Sequence, residues 1–314
     1  MPSKILLFHR NFQSFTGGHL KLWHYFNHVQ HSPHYQAQIA FTADSLWNDA
    51  NPWLPIRPHT LTVWNPETAD ALFLAGMDWA ALTEAQRQNP PRPIINLIQG
   101  IRHRIPDTPL YPYLAHRAVR ICVSEEVAEA VRATRRVNGP LFTIPNGLEL
   151  TELPTASPWE AREIDLLIVG IKNPALAEEL YRHLPTSELR VTLLTEIQPR
   201  PRFLDQLAKA KISVLLPLPE EGFYLPPLES FALGTLTICP DCIGNRSFCL
   251  PGITCLQPAY TVEALLQAID QALRLPLPER LVLLDAARRM AGQHPLASER
   301  QAFLNLLHQL NAIW

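Results

Sequence analysis

Short apolar runs rich in Ile, Val and Leu alternate with longer amphipathic segments along most of the chain. The runs predict buried strands and the longer segments predict helices, a pattern typical of βαβ units on a parallel sheet. In the first half, the clearest helices are residues 18–29 and residues 125–135, the second of which has Ser124 as its N-cap. The predicted strands are residues 5–8, 38–41, 71–74, 94–98 and 121–123, with a sixth candidate at 141–144.

The segment 145–163 interrupts this pattern, because it has three prolines, one glycine and no apolar periodicity. We interpret it as a linker. A second series follows, with predicted strands at 165–169, 190–194, 212–216 and 236–239 and predicted helices at 175–184, 203–210, 227–233, 261–273, 278–291 and 297–312. The predicted domains are therefore residues 1–148 and 149–296, followed by a C-terminal helix within 297–314.

Composition limits the class of protein without identifying it. The 314 residues are 47% hydrophobic and 18% charged, with no apolar run near the roughly 18 residues of a spanning helix, which predicts a soluble globular protein. The net charge of −2 gives no electrostatic case for nucleic acid. Residues 1–149 hold 13 Lys and Arg against 11 Asp and Glu, so we expect no strong membrane patch either.

The first residues and the cysteines both bear on localisation. The apolar stretch 5–8 is too short for the core of a signal peptide. The cysteine count of five is odd, and a chain of this length has ample core, so reduced thiols are expected rather than a disulfide framework. Both features predict a cytoplasmic protein.

Two consecutive doubly wound domains predict a ligand at the carboxyl ends of the strands, in the cleft between the domains. A dinucleotide site would need G-x-G-x-x-G after a first strand, and a P-loop would need G-x-x-x-x-G-K-[ST]. Neither string occurs where it is required. Dehydrogenase and P-loop functions are therefore disfavoured.

The most informative string is PLPEEGFYLPPLESFALG at 217–234, which follows an apolar strand. Its two prolines, Pro226 and Pro227, predict that Glu221 lies in a loop and Glu229 in the first turns of a helix. The backbone N–H groups of Leu225, Leu228 and Glu229 would then face a diphosphate. A carboxylate beside them could accept hydrogen bonds from sugar hydroxyls.

This string resembles the signature of the retaining glycosyltransferases of the GT-B fold, in particular glycosyltransferase family 4, also called glycosyl transferases group 1. Further similar strings are FTGGH at 15–19, CVSEEV at 122–127, IPNGLE at 144–149 and the run TLTICPDCIGNRSFCLPGITCLQP. The resemblance implies two Rossmann-like domains that face each other across a cleft. It also implies that the C-terminal helix returns to the first, acceptor-side domain, while the second binds the nucleotide sugar.

The resemblance assigns roles to four of these positions. It implies that Glu229 binds the ribose of a sugar nucleotide and that Glu221 binds the transferred sugar near the reaction centre. Gly17 and Gly18 would let the backbone approach the phosphates and the acceptor. The alternative for the two glutamates is a solvated loop charge and a helix-dipole partner.

The resemblance also points to Lys172 for the diphosphate and to His103 for the donor sugar. The family has an Arg next to its Gly and a Lys about five residues later, whereas this chain has Ile171 there; Lys172 would do the work of both, or Arg246 would help. His103 is flanked by arginines, which would lower its pKa and keep it neutral near pH 7. An exposed loop lysine and a surface histidine are the alternatives for these two residues.

Four cysteines at 239, 242, 249 and 255 have the spacing C-x2-C-x6-C-x5-C. A zinc site with four thiolate ligands is one interpretation. The spacing is short for a zinc ribbon, and Cys239 and Cys255 fall in predicted core strands, where free cysteine is an ordinary apolar residue. We therefore favour core thiols, and the sequence leaves the choice open.

The predicted function is that of a glycosyltransferase of the hexosyltransferase type. It would move a sugar from a nucleotide-diphosphate sugar to an acceptor hydroxyl, with retention and with no metal or cofactor. The acceptor, which could be a glycan, a lipid or a small molecule, is not identified by the sequence; nor are the nucleotide base, the sugar and the oligomeric state. A sugar-nucleotide epimerase of the same fold and a non-catalytic GT-B scaffold are the alternatives.

Overall fold

The structure is a computed structural model that describes residues 3–185 and 189–314. The chain divides into two compact units, residues 1–146 together with 297–314, and residues 147–296. The first unit thus takes both ends of the chain and the second is a continuous segment. In the described part of the chain, no helix has the length and apolar character needed to cross a membrane.

The first unit is built on a parallel sheet of six strands in the order β2-β1-β3-β4-β5-β6. The apolar runs form the strands as predicted, including the sixth candidate. Their interiors are buried, because helices or loops cover both faces of a parallel sheet. The strands are β1 (Lys4–Arg10), β2 (Tyr35–Phe41), β3 (Ala71–Ala75), β4 (Ile94–Ile98), β5 (Val119–Cys122) and β6 (Leu141–Thr143).

Three α-helices connect these strands, namely α1 (Gly17–Val29), α2 (Glu84–Gln88) and α3 (Glu125–Arg132). The Thr16 hydroxyl caps α1 by accepting a hydrogen bond from the His19 amide, and Ser124 caps α3 in the same way. Helix α3 ends three residues before the predicted Arg135, which has a positive φ of 55°. Other crossovers are proline-rich and form short 3₁₀ turns, such as 54–59 and 111–115.

The second unit has a parallel sheet of four strands in the order β10-β9-β7-β8. Successive residues of β7 belong to different cores: Leu166 and Ile168 to one, Leu167 and Val169 to the other. The sheet is therefore covered on both faces, which explains its continuous apolar runs. The strands are β7 (Ile164–Val169), β8 (Val191–Leu194), β9 (Ala210–Leu215) and β10 (Leu236–Ile238). The helices are α4 (Pro174–His183), α5 (Arg200–Lys209), α6 (Pro226–Ala232), α7 (Val262–Arg274) and α8 (Leu277–Gly292).

The last helix, α9 (Leu296–Ile313), returns to the first unit as the resemblance implied. Phe303 packs edge-on against Tyr25 and Phe73, with ring centroids 4.8 and 5.9 Å apart. The buried carboxylate of Glu299 pairs with Lys21 and lies 3.0 Å from Nε2 of His28. Helix α9 is thus held by both apolar packing and a buried ion pair.

Gly147 lies where the chain enters the second unit, inside the predicted linker. Leu148 donates a hydrogen bond to the His294 carbonyl at 2.8 Å, and Leu296 donates to Leu148 at 2.9 Å, so the entering and leaving segments pair. A Cβ at Gly147 would lie 2.5 Å from the Leu296 Cα. This close backbone approach accounts for glycine in the PNG string.

Candidate functional site

In each sheet, the direction in which successive strands are added changes at one point. This point lies between β1 and β3 in the first unit and between β7 and β9 in the second. Loops that leave neighbouring strands at such a point diverge to opposite faces of the sheet and open a crevice at the carboxyl edge, where open α/β sheets bind ligands. Most of the site residues predicted from the sequence lie in the connections that follow β1, β7 and β9, either in the loop or in the helix that the loop leads into.

In the second unit, Lys172 follows β7 and Glu221 follows β9, and the structure brings them together. Lys172 Nζ lies 3.2 Å from Oε1 of Glu221. The lysine side chain is 48% exposed and the glutamate side chain 20% exposed, so the pair is open to solvent. Because such a pair is weakly held, an arriving anion can compete with Glu221 for the ammonium group.

Glu229 is in the first turn of α6, and its side chain is buried. The guanidinium of Arg200, at the start of α5, lies 2.5 Å from Oε1 of Glu229. This contact is an ion pair without hydrogen-bond alignment, and no donor among the described residues hydrogen-bonds to that oxygen. A buried carboxylate oxygen that accepts no aligned hydrogen bond is uncommon and suits a ligand that brings its own donors. Arg200 was not predicted from the sequence; its signal was a basic residue at the start of the helix that follows β8.

One detail predicted for α6 is wrong. The backbone N–H of Glu229 donates to the Leu225 carbonyl at 3.2 Å, as the first regular bond of the helix, so it does not face a ligand. Pro226 and Pro227 occupy the first two helical positions and have no N–H. The sequence predicted that the amides of Leu225, Leu228 and Glu229 face a diphosphate. Because the Glu229 amide is used within the helix, the amides of Leu225 and Leu228 are the two candidates that remain.

The departure at Ile171 has a packing reason. Its side chain packs against the core cluster of the second unit, next to the turn that leads into α4. The Asn173 side chain caps α4, and a Cβ at Gly170 would lie 2.1 Å from the Cβ of Ala177. Gly170 therefore allows α4 to approach β7 closely. Arg246, the alternative cation, forms an exposed ion pair with Asp241 at 2.7 Å.

In the first unit, Gly17 and Gly18 are the first two residues of α1, not a loop before it. A Cβ on Gly17 would meet no atom of the described residues within 4 Å, which leaves space beside this helix end. Gln99, after β4, donates from Nε2 to the Gly18 carbonyl at 3.4 Å. The glycine pair and the loop that carries His103 are thus in contact at the carboxyl edge of the sheet.

His103 is buried in the 3₁₀ turn 101–104, so the surface-histidine alternative is wrong. Its Nδ1 lies 3.3 Å from the Gly100 carbonyl, while its buried Nε2 has no partner among the described residues. Burial, followed by the charges of Arg102 and Arg120, lowers the pKa of His103 to about 4. The predicted neutral state at pH 7 agrees with this direction, although burial and not the flanking arginines is the main cause.

A polar group at the reversal point of the first unit was not anticipated from the sequence. Asp78, in the 3₁₀ turn after β3, accepts hydrogen bonds from Arg10 at 3.0 Å and from the Ala75 amide at 2.9 Å. Its other oxygen lies 3.4 Å from Nδ1 of His9. The group combines residues of β1 with a residue of the turn after β3, so no local sequence pattern marks it.

The cysteines at 239, 242, 249 and 255 all lie in one core cluster of the second unit and are free. Burial raises the pKa values of the Cys242 and Cys249 thiols, whereas zinc binds thiolates. No group of His, Cys, Asp and Glu in the described part of the chain is arranged to hold a metal ion. Their packing supports the interpretation as core thiols.

Two parallel doubly wound sheets, with a returning C-terminal helix and polar groups at the carboxyl edges, define a protein of the GT-B fold. Residues 150–274 match the family Glycosyl transferases group 1, which confirms the resemblance seen in the sequence. The matched segment contains Lys172, Glu221 and Glu229. The general class predicted from the sequence, a glycosyltransferase, is thereby supported.

Solved structures agree with this fold over almost the whole chain. HepE from Anabaena in complex with UDP-glucose has a TM-score of 0.77 at 13% identity, covering 98% of this chain and 100% of HepE. Sucrose-phosphate synthase from Thermosynechococcus elongatus has a TM-score of 0.73 at 14% identity, covering 98% and 99%. The lipopolysaccharide outer core galactosyltransferase WaaB has a TM-score of 0.66 at 13% identity, covering 98% and 99%. No curated protein sequence matches the chain.

Proposed function

We propose that the protein transfers a hexose from a nucleotide-diphosphate sugar to an acceptor hydroxyl, with retention and without a metal ion. The observation that carries the proposal is the buried carboxylate of Glu229 at the edge of the sheet where ligands bind: its Oε1 is paired with the Arg200 guanidinium but accepts no hydrogen bond from the described residues. Two adjacent hydroxyls of a ribose would supply the missing donors. Charge-assisted hydrogen bonds of this kind hold a sugar firmly and with defined orientation.

The cations near this carboxylate fit the diphosphate. Lys172 is half-exposed and its partner Glu221 is not buried, so its charge is available to a ligand. We assign the second cation, which the resemblance expects next to Gly170, to Arg200 instead. Because negative charge develops on the departing diphosphate in the transition state, both cations would stabilise transfer more than binding.

Glu221 positions the transferred sugar in this proposal and does not act as a covalent nucleophile. Lys172 leaves Glu221 for the diphosphate, so the freed carboxylate accepts hydrogen bonds from sugar hydroxyls. His103 stays neutral, and its unpartnered Nε2 is a hydrogen-bonding group for the donor sugar, the role that the resemblance implies. Gly17 and Gly18 leave open space for the acceptor.

HepE is described in complex with UDP-glucose, so UDP sugars are the first donors to test. Thermal unfolding of the protein should be measured with UDP, GDP and ADP sugars, because a ligand at 100 times its Kd stabilises the native state by about 2.7 kcal/mol. The stabilising donor is then incubated with acceptors of each class. Transfer with retained configuration at the anomeric carbon supports the proposal.

Two outcomes of the same assay count against the proposal. Isomerised sugar from the donor alone, without an acceptor, would identify an epimerase. A protein that binds no nucleotide sugar at all would be a scaffold. Glu229→Gln is the control for any binding that is observed, because binding outside the proposed site would not differ between this variant and the wild type.

A further inference from the structure

The second unit has an open cavity of about 310 Å³ far from the residues proposed for the donor. Its walls include Trp159, Arg162, Gly234, Leu284 and Arg288. Arg162 precedes β7 and Gly234 precedes β10, so the cavity lies at the amino edge of the sheet. Lys172 and Glu221 follow the carboxyl ends of β7 and β9, at the opposite edge.

Arg162 places a charge in this wall, and no carboxylate among the described residues pairs with it. Its side chain is buried and donates to the carbonyls of Ser157, Ala210 and Leu233 and to the Thr235 hydroxyl. All four acceptors are neutral. Burial, and after it the neighbouring charge of Arg288, lower the pKa of Arg162 to about 10, which leaves it positive at neutral pH.

Arg288 is a second cation in the same cavity, and no described residue hydrogen-bonds to it or pairs with it. Its guanidinium lies directly against Gly234, where any Cβ would overlap it. Gly234 has a φ of +65°, so this position favours glycine for its backbone as well. Glycine at this position therefore leaves room for the Arg288 guanidinium beside the end of α6.

A third guanidinium lies at the same edge. Arg280 stacks on the ring of Trp159, with its Cζ 4.2 Å from the ring centroid. The Trp159 ring forms part of the cavity wall. By contrast, Arg289, the next residue along α8, is paired with Asp285. Arg162, Arg280 and Arg288 thus bring positive charge to the cavity, and none of them is paired with a carboxylate of the described residues.

Two neighbouring guanidinium groups with no acid between them repel each other, and an anion placed between them removes that cost. Guanidinium groups bind phosphate in a bidentate manner, with two parallel N–H···O bonds. We propose that this cavity binds the phosphate group of a small phosphorylated molecule, with Arg288 as its main ligand. Its volume leaves room for the organic part of that molecule.

The proposal is tested by titrating the full-length protein with inorganic phosphate and following thermal unfolding at constant ionic strength. The variants are Arg288→Gln and, as a matched control, Arg289→Gln, which removes the same charge one residue away. We expect a saturable rise of Tm in the wild type and in Arg289→Gln, and an apparent Kd at least tenfold weaker in Arg288→Gln. Equal responses in all three proteins would overturn the proposal.

The donor site also has cations, so the titration is repeated in a Lys172→Gln background. The response to phosphate should persist there and should still depend on Arg288; its loss would place the phosphate at the donor site and refute the cavity. Arg288→Gln should leave UDP binding unchanged, since Arg288 lies at the other edge of the sheet.

Glucose 6-phosphate and inorganic phosphate are compared to separate an organic ligand from the free ion. Tighter binding of the sugar phosphate supports the proposal, and binding of the free ion alone counts against it.

Discussion

Glu229 and Glu299 are both buried carboxylates, but their neighbouring residues suit them to different roles. Glu299 meets Lys21 and His28, which outweigh burial and hold its pKa at about 2. Its charge is therefore compensated within the fold. Glu229 meets Arg200 in an unaligned contact at Oε1, and that oxygen accepts no hydrogen bond from the residues that the structure describes. The first arrangement stabilises the fold and the second is suited to a ligand.

Glu229→Gln is expected to weaken binding of the nucleotide sugar by roughly 10- to 100-fold, the scale of one or two charge-assisted hydrogen bonds. The measurement is calorimetric titration with the stabilising donor. Glu263→Gln, an exposed carboxylate at the start of α7, is the matched control and should bind like the wild type. Equal affinities for the two variants would remove Glu229 from the site.

Arg200→Gln should lower the rate of transfer more than donor affinity, because its charge would act on the diphosphate as it leaves. A fall in kcat of roughly 10- to 100-fold with a smaller change in KM is expected. The control is Arg202→Gln on the same helix, an exposed residue with no part in the proposed site. If both variants keep the wild-type kcat, the second cation lies elsewhere.

The buried His103 should make the fold sensitive to acid. Its pKa is lowered to about 4 in the native protein, while the unfolded chain takes up this proton near the ordinary value of 6.5. Stability is therefore complete above about pH 6.5 and is lost as the pH falls toward 4. At pH 5 the loss from this residue is about 2 kcal/mol.

Urea unfolding of the wild type and of His103→Asn at pH 7 and pH 5 measures this contribution. The free energy of unfolding should fall by about 2 kcal/mol less in the variant, since asparagine does not titrate. His59→Asn, an exposed position, should behave like the wild type. An unchanged pH dependence in His103→Asn would show that the ring is protonated without cost in the native state.

At the scale of elements, α9 is held by one apolar stripe and one buried ion pair. The sequence predicted the stripe as Phe303, Leu304, Leu307 and Leu310. The structure buries Phe303, Leu306, Leu307 and Leu310, and leaves Leu304 half-exposed. The buried set continues one turn earlier to Glu299, whose carboxylate pairs with Lys21, and an apolar pattern does not encode a charged residue on the buried face.

Phe303→Ala is expected to cost about 3–5 kcal/mol, because the ring is fully buried against Tyr25 and Phe73 and its removal leaves a cavity. Chemical denaturation measures this cost. Gln309→Ala, on the exposed face of the same helix, should change stability by less than about 0.5 kcal/mol. Comparable losses in both variants would mean that α9 is not anchored by this stripe.

At the scale of the whole molecule, the proposed chemistry assigns the diphosphate to Lys172, Arg200 and backbone amides. Transfer should therefore proceed at an unchanged rate in EDTA, and added Mg²⁺ or Mn²⁺ should not raise it. The assay is initial-rate transfer by the EDTA-dialysed protein, with a manganese-dependent glycosyltransferase as a positive control for chelation. Activity that is lost in EDTA and restored by Mn²⁺ would overturn this part of the proposal.

The sequence determined the strands and most helices, because strands buried on both faces need continuous apolar runs that are visible locally. The GT-B fold followed from the resemblance of the string at 217–234 to the family signature. The sequence also singled out Glu221, Glu229 and Lys172, since these lie in one recognisable segment or next to a strand end. Regions rich in proline were less predictable, and their crossovers form 3₁₀ turns in place of regular helices.

Only the tertiary structure decided which side chains meet. Arg200 reaches Glu229 from another helix, Asp78 joins His9 and Arg10 from another strand, and Arg288 reaches Gly234 from α8. Each pair is brought together by strand order and helix packing, so its members are distant in sequence and no local periodicity connects them. Burial likewise decides whether a polar side chain is a solvated surface charge or part of a binding site. The chemistry of each side chain is set by the sequence, whereas its partners and its access to water are set by the fold.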